Sequence, residues 1–423
     1  MDQDLASAYA AALDAVLRRD HLMSPDTLDE LTVLGARHLG ATTAVLWLVD
    51  YDQISLGRLG GPTGGLGQRL SVDGSLAGRC FRSVEMLETD ADDGHLLWVP
   101  LLDGLERLGV LEVVFEPGTP PLDEGLREAL SQLAHLLAEL LVSNSAYTDH
   151  YEWVRRRQAM SLPAEMQHRL LPPLTFGTDR VVISGLLAPA YDVGGDAFDY
   201  ALNGNIAHVA VFDAVGHGLQ ASLLANLAVS CYRNTRRAGL DLATAAATID
   251  QALDAMFGGE RFVTAMLGQL DVDTGAFRWI NAGHPATMLL RDGQVVKELQ
   301  GRPALPLGIN GLLDGAEAFP VSVEALQPGD RLLMLTDGVD EARNGEGEFF
   351  GRERLAQFAA KEASSGLPTP EAMRRLQQAV LRHQVGRLQD DATMVFVEWL
   401  TGVGQQMDPL EHPASEGPQA PEG

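Results

Sequence analysis

Residues 205–218 read NIAHVAVFDAVGHG. An apolar run rich in Val and Ala ends on Asp213, and Gly216 and Gly218 follow at once. Such a run reads as a buried strand. The glycines permit a sharp exit into the helical pattern LQASLLANLAVSCYRNTRR (219–237). Taken alone, a strand that stops at Asp beside Gly marks a turn. Here the device recurs. LTDGVDEA (335–342) puts Asp337 at the end of a second buried strand, and LQDDAT (388–393) puts Asp390 and Asp391 just before a third. YDVGGDAFDY (191–200) carries Asp192, Asp196 and Asp199 around Gly194 and Gly195. Antiparallel strands can bring such ends to one edge. Clustered aspartates repel one another unless protons or cations neutralise them. Oxygen-only donors select hard cations such as Mg2+ or Mn2+, and two ions sharing a carboxylate can activate a water and clamp a phosphoryl group.

The surrounding pattern sets the architecture. Strands are predicted over 180–189, 205–213, 263–272, 276–283, 287–292, 331–337 and 393–400. Tight turns at 273–275 and 291–294 make several of them hairpins. Helices fall at 219–237, 242–257, 351–363 and 370–384. Strand runs with inserted helix pairs predict an α+β sandwich of antiparallel sheets over 174–400, and not a doubly wound parallel sheet. Upstream, after an N-terminal helix over 1–21, residues 22–143 read as a second, smaller α/β domain. It holds a helix over 24–39 capped by Ser24 or Asp26, a strand at 42–50, a short helix at 76–83 and paired strands at 95–103 and 108–116.

From Leu126 the period changes. Leu126, Leu130, Leu133, Leu137, Leu140, Asn144, Tyr147, Tyr151 and Val154 recur at spacings of four and three. That spacing predicts a coiled-coil linker over 126–173 that pairs two chains, with Asn144 fixing the register. One amphipathic helix packed on its own domain is the other reading. Pro163 interrupts the pattern, and AEMQHRLL (164–171) follows as a short helix. The tail, 401–423, is rich in Gly, Pro, Gln and Glu and is predicted to be disordered.

Composition narrows the function. Of 423 residues, 46% are hydrophobic and 21% charged, which excludes wholesale disorder. The formal charge of −27 opposes nucleic acid and anionic lipid at long range, and the only basic runs are Arg155–Arg157 and Arg233–Arg237. Neither is expected as a partner. Cys80 and Cys231 are too few for a disulfide framework or a zinc site, and they fit reduced thiols of a cytoplasmic protein. No secretory leader or apolar membrane span is expected. His217 (in Gly-His-Gly) and His284 (in NAGHP) lack a second ligand at zinc spacing. Each reads first as a polar residue held in a turn. No nucleophile elbow, Walker loop or kinase glycine loop appears, and GGPTGG (60–65) reads as a flexible loop.

The motif order over 181–398 resembles the PPM family of metal-dependent serine/threonine phosphatases, in its bacterial SpoIIE-like branch with the RsbU-type regulators of partner switching. The resemblance is carried by RLLPP (169–173), DVGGDAFD (192–199), FDAVGHG (212–218), FVTAMLGQLD (262–271), NAGHP (281–285), LPLG (305–308), LQPGDRLLMLTDGVDEA (326–342), FG (350–351) with RERL, and QDDATM (389–394). It implies that Asp196 lies beside the metals, that Asp213 bridges two Mn2+ or Mg2+ ions, and that the Ala214 carbonyl, Asp337 and Asp390 complete the ligands. Gly195, His217 and Asp391 are auxiliary. It implies hydrolysis of phosphoserine or phosphothreonine by a water activated between the cations, on a phosphorylated STAS-type anti-sigma-factor antagonist. Two departures stand out: Ala197 where an aromatic is usual, and Ala214-Val215 where Val-Ser is commoner. Residues 22–143 resemble a GAF sensor domain, through GSLAGRCFRS (74–83) and VPLLDGLERLGVLEVVF (99–115), with a PAS-like domain as the alternative. That resemblance implies an unknown small ligand or protein as its input and Cys80 as a candidate redox or chromophore position, while the long helix and RLLPP segment resemble the dimerising linker of this group, which implies a homodimer. The competing reading of the whole chain is a phosphatase-fold scaffold that acts by binding, with little turnover. A nucleotide cyclase or small-molecule phosphatase ranks behind both, since no base-recognition motif is present.

Overall fold

The structure is a computed structural model that describes residues 3–20, 24, 28–60, 67–91, 94–192, 194–309, 318–363, 367–384 and 390–399. The expected cap at Asp26, most of the 60–65 loop and the 401–423 tail lie outside them. The chain divides into two units, Met1–Gln158 and Ala159–Gly404.

In the first unit the elements run α1 (Gln3–Asp20), α2 (Leu28–His38), β1 (Thr43–Val49), β2 (Ser55–Arg58), β3 (Arg69–Ser71), α3 (Leu76–Ser83), β4 (Leu87–Ala91), β5 (Gly94–Asp103), β6 (Glu106–Phe115), α4 (Glu124–Asn144) and α5 (His150–Arg155). The strands form one antiparallel sheet in the order β3-β2-β1-β6-β5-β4. Side chains alternate along a strand, so each strand feeds two cores. Leu46, Leu48, Leu97, Val99, Leu111 and Val113 pack under α1, α2 and α4. Trp47, Val49, Trp98 and Val110 pack with Phe81 and Cys80 of α3. Cys80 is fully buried and burial pushes its thiol well up, which makes it an inert packing residue.

The continuous seam over 126–154 is not what forms. α4 stops at Asn144, a turn follows, and α5 is only six residues long. Leu130, Leu133 and Leu137 are fully buried in their own unit's core, so they are unavailable to a second chain. The spacing was that of an amphipathic helix facing a sheet, and heptad and core-facing patterns coincide over three turns. Downstream of the break, Tyr147 and Trp153 are exposed.

The second unit runs α6 (Leu162–Leu170), β7 (Thr175–Gly177), β8 (Val181–Ala188), β9 (Asp196–Asn203), β10 (Ile206–Ala214), α7 (Leu219–Arg237), α8 (Leu242–Phe257), β11 (Val263–Asp271), β12 (Ala276–Ala282), β13 (Thr287–Arg291), β14 (Gln294–Leu299), β15 (Ser322–Ala325), β16 (Arg331–Leu335), α9 (Asp337–Asp340), α10 (Gly351–Ala363), α11 (Thr369–His383) and β17 (Ala392–Trp399). Pro163 does not interrupt a helix; it sits in the first turn of α6, where a missing N–H is harmless, with Ser161 as the cap. Two antiparallel sheets result, β15-β12-β11-β10-β9 and β14-β13-β16-β17-β8-β7. They face each other through Phe198, Val209, Val211, Met266, Met334 and Val395. α7 and α8 cover the outer face of the first sheet, and α10 and α11 that of the second. This is the antiparallel sandwich flanked by helices that the strand pattern predicted. Among the described residues no helix is long and apolar enough to cross a membrane.

Candidate metal centre

Strand parity builds the site. Along β10, Val209 and Val211 face the opposite sheet while Ala210 and Phe212 face the helices. Asp213 is next in the inward series. The same count puts Asp196 at the head of β9 in line with Phe198, Thr264 of β11 in line with Met266, Thr336 just beyond Met334 of β16, and Thr393 of β17 ahead of Val395. Asp213 pairs in register with Asp196 on one side and Thr264 on the other. Five strands from two sheets therefore exchange an apolar inner face for Asp or Thr at one rim of the sandwich. Asp337 follows β16 and opens α9; Asp390 and Asp391 precede β17.

Hydrogen bonds cross the rim between sheets. The Thr336 hydroxyl donates to Asp196 Oδ2 at 2.6 Å and accepts from the Thr393 amide at 2.9 Å. Gln167 of α6, fully buried, donates its Nε2 to the Asp196 carbonyl. Asp391 Oδ2 accepts from the amide of Gly194 at 2.8 Å and from that of Gly195, which shapes the loop entering β9. Gly338 is required by close approach, since a Cβ there would lie 1.8 Å from the Asp391 carbonyl oxygen.

The electrostatics show mutual crowding. Burial, then Asp337, Asp390 and Asp391, pushes Asp213 up to about 7. Burial, then Asp213 and Asp391, holds Asp196 well above the ordinary carboxylate range, against the pull of the Thr336 and Thr393 hydroxyls. Asp337 is raised by burial and then by Asp390. Carboxylates arranged this way favour protons or cations between them. The donor set is oxygen throughout, and Gly195 leaves the Ala214 carbonyl uncovered: a Cβ on it would sit 2.8 Å from that oxygen. These features fit hard divalent ions. Among the described residues no three His, Cys, Asp or Glu side chains close on a single cation position.

Not every predicted aspartate joins. Asp192 is exposed in the bend before the loop. Asp199 is three residues beyond Asp196, so it points to the helix side, where Arg233 and Arg236 hold it at 2.7 and 2.6 Å. His217 is exposed on the loop after Ala214. The departure at Ala197 adjoins Asp196 in the chain, but its side chain turns away from the rim into the helix-side core. Sequence reasoning missed Thr264, Thr336, Thr393 and Gln167, and placed no site role on His284.

One consequence is measurable. Asp391→Ala removes the acceptor of the 194–195 amides and is expected to destabilise the metal-free protein by about 1.5–3 kcal/mol, the range for hydrogen bonds to a charged group. Asp391→Asn retains an acceptor and is expected to recover most of that in a urea titration. Equal losses would show that the loop is not held this way.

The family described as Stage II sporulation protein E (SpoIIE) matches residues 203–400. Protein IcfG of Synechocystis sp. is 32% identical over 143 residues, 32% of this chain and 20% of IcfG, so the chain spans about a fifth of that relative. The phosphoserine phosphatase RsbU of Bacillus subtilis is 20% identical over 275 residues, 64% of this chain and 80% of RsbU. Among solved structures, the RsbU and RsbW domains of Rv1364c from Mycobacterium tuberculosis align with a TM-score of 0.44 and 28% identity, covering 52% of this chain and 61% of that one. The SiaA-PP2C domain of Pseudomonas aeruginosa aligns at 0.46 and 24%, covering 56% and 94%. Residues 203–400, a little under half of the chain, thus match the SpoIIE family model, and the chain is similar to RsbU over most of that relative's length.

Proposed function

We propose that this protein is a Mn2+- or Mg2+-dependent phosphatase that removes phosphate from serine or threonine of a partner-switching protein, such as an anti-sigma-factor antagonist of the STAS type. The observation that carries the reading is the rim where Asp196, Asp213, Asp337 and Asp390 meet at the ends of strands from both sheets. Asp213, Asp196, Asp337, Asp390 and the Ala214 carbonyl would hold such ions. When bound, such ions supply an activated water and neutralise a phosphoryl group. The chain's own residues prepare for this. Thr336 and Thr393 favour the ionised form of Asp196, and Asp391 fixes the glycine loop.

The relation to RsbU, named a phosphoserine phosphatase, supports the substrate class. Control is assigned to the first unit, read as a GAF-like sensor of unidentified input. Gln167 gives such control a point of entry, because it ties α6 to the backbone of Asp196. A homodimer stays part of the reading, but Leu130, Leu133 and Leu137 are not its interface. The test is phosphate release by the full chain from a phosphorylated STAS protein and from p-nitrophenyl phosphate, with and without Mn2+. Release that needs the ion is expected. A chain that binds Mn2+ yet releases nothing from either substrate would favour the scaffold reading.

A further inference from the structure

The rim is bordered on one side by the loop that follows Ala214. The β10–β11 ladder runs one step past its last pair, Ala214 with Val263, because the Val215 amide donates to the Phe262 carbonyl at 3.1 Å. Arg261 therefore comes to stand beside Gly216. Its Nη1 lies 3.7 Å from the point where a Cβ on Gly216 would sit, and its Nη2 donates to Gln220 Oε1 of α7 at 3.1 Å. Strand parity turns Val263 to the helix side and Thr264 inward with Met266, and it puts Arg261 with Val263. The guanidinium thus lies outside the carboxylate pocket, against the start of α7. Gly218 has φ +72°, and a Cβ on it would meet nothing within 4 Å. At Gly216 and Gly218 the loop shows only backbone to its surroundings.

Two further features lie next to this loop. α7 buries Ala221, Leu224, Ala225 and Ala228 against its sheet, yet Leu219 is 44% and Leu223 47% exposed. They stand four residues apart, so they share one face of the helix, and Gln220, which holds Arg261, follows the first of them. Leucines exposed singly are ordinary surface, but here a pair one turn apart adjoins a guanidinium. That guanidinium is itself unusual. Arg233 and Arg236 are paired with Asp199, Arg291 with Asp330, and Arg352 with Asp340 and Glu298. Among the described residues no carboxylate pairs with Arg261, although the chain has 58 acidic side chains against 31 basic ones. A formal charge of −27 repels an acidic phosphoprotein at long range. A guanidinium beside the site offsets that repulsion locally and takes a carboxylate in its fork of N–H donors. A segment that delivers a phosphorylated residue to the rim across this loop lays its neighbouring residues on the first turn of α7.

We propose that Leu219, Leu223 and Arg261 form the docking surface for the phosphoprotein substrate, where they take an apolar side chain and a carboxylate that flank its phosphorylated serine or threonine. The inference rests on the phosphatase reading above. The test is phosphate release by the full chain in Mn2+ from three synthetic peptides and from p-nitrophenyl phosphate. The first peptide carries one phosphoserine with Leu and Glu on both sides of it; the second has Gln for each Glu, and the third Ala for each Leu. Wild type is expected to prefer the first peptide over the second about 5-fold in kcat/KM, the upper end for an exposed ion pair, and over the third about 10-fold. Arg261→Gln is expected to erase the preference for Glu and to keep that for Leu, and Arg261→Lys to keep both. Leu219→Gln/Leu223→Gln is expected to erase the preference for Leu and to keep that for Glu. These ratios isolate the contact, since a merely structural effect lowers every peptide alike. A wild type without either preference, or an Arg261→Gln variant that slows all peptides equally, overturns the proposal. So does a Leu219→Gln/Leu223→Gln variant that keeps its preference for Leu but turns a dimer into a monomer in sedimentation, which would give this face to a second copy. A wild type that releases phosphate from none of the four substrates overturns the phosphatase reading itself.

Discussion

Asp213→Asn is expected to reduce cation-dependent phosphate release about 1,000-fold, the upper end for removing one electrostatic group from a catalytic site. Asp213 stands between Asp196 and Thr264 in register and feels Asp337, Asp390 and Asp391 from the facing side. No other carboxylate of the rim is coupled to so many of the rest. The amide matches the carboxylate in shape and loses the charge that lets one group serve two ions. Loss of fold cannot imitate this result, because the substitution relieves repulsion in the metal-free protein. Its unfolding midpoint in EDTA is expected to equal or exceed that of wild type. Retention of a tenth or more of the activity would remove Asp213 from the metal assignment.

The second large effect is on stability against pH. Crowding raises the Asp213 carboxyl to about 7 in the folded protein, whereas in the unfolded chain it returns to its ordinary value of 3.8. A raised acid contributes its full stability below the unfolded value and loses it as pH rises through the folded value. Asp196, Asp337 and Asp391 are shifted in the same direction. In EDTA the stability gained by Asp213→Asn over wild type should therefore be small at pH 5 and grow toward pH 8. Its upper bound is about 4 kcal/mol, from roughly three pKa units. Saturating Mn2+ should erase or reverse the difference, since the cation takes the place of the protons. Denaturant midpoints at four pH values decide it, and an increment that stays flat from pH 5 to pH 8 contradicts the crowded-carboxylate account.

The legible part of this protein was what short-range pattern encodes. Apolar runs that stop at Asp near Gly pointed to Asp213 and Asp337, the Asp pair ahead of the last strand pointed to Asp390, and α3, α7, α8 and α10 match their predicted spans. β9 was harder. Its sequence DAFDYALN carries Asp196 toward the rim and Asp199 toward the helices, so both faces look polar and the strand reads as loop. The threonines were invisible for a different reason. Thr264, Thr336 and Thr393 are ordinary strand residues, and their meaning comes from register across two sheets. The heptad misreading has a third cause: Leu130, Leu133 and Leu137 specify a buried stripe without naming what buries it.

The place of β17 has a consequence in time. This strand is the last of its unit to be made, yet it lies inside its sheet, between β16 and β8, and it brings Asp390 and Asp391 with it. Gly194 is held by Asp391, 197 positions further along the chain. Contacts so distant along the chain form late, because loop closure must precede them. During synthesis, a nascent chain that has emerged only as far as α11 lacks the strand that completes the sheet, one of its four rim carboxylates and the anchor of the glycine loop. On the proposed reading, the site is therefore complete only once this strand is in place.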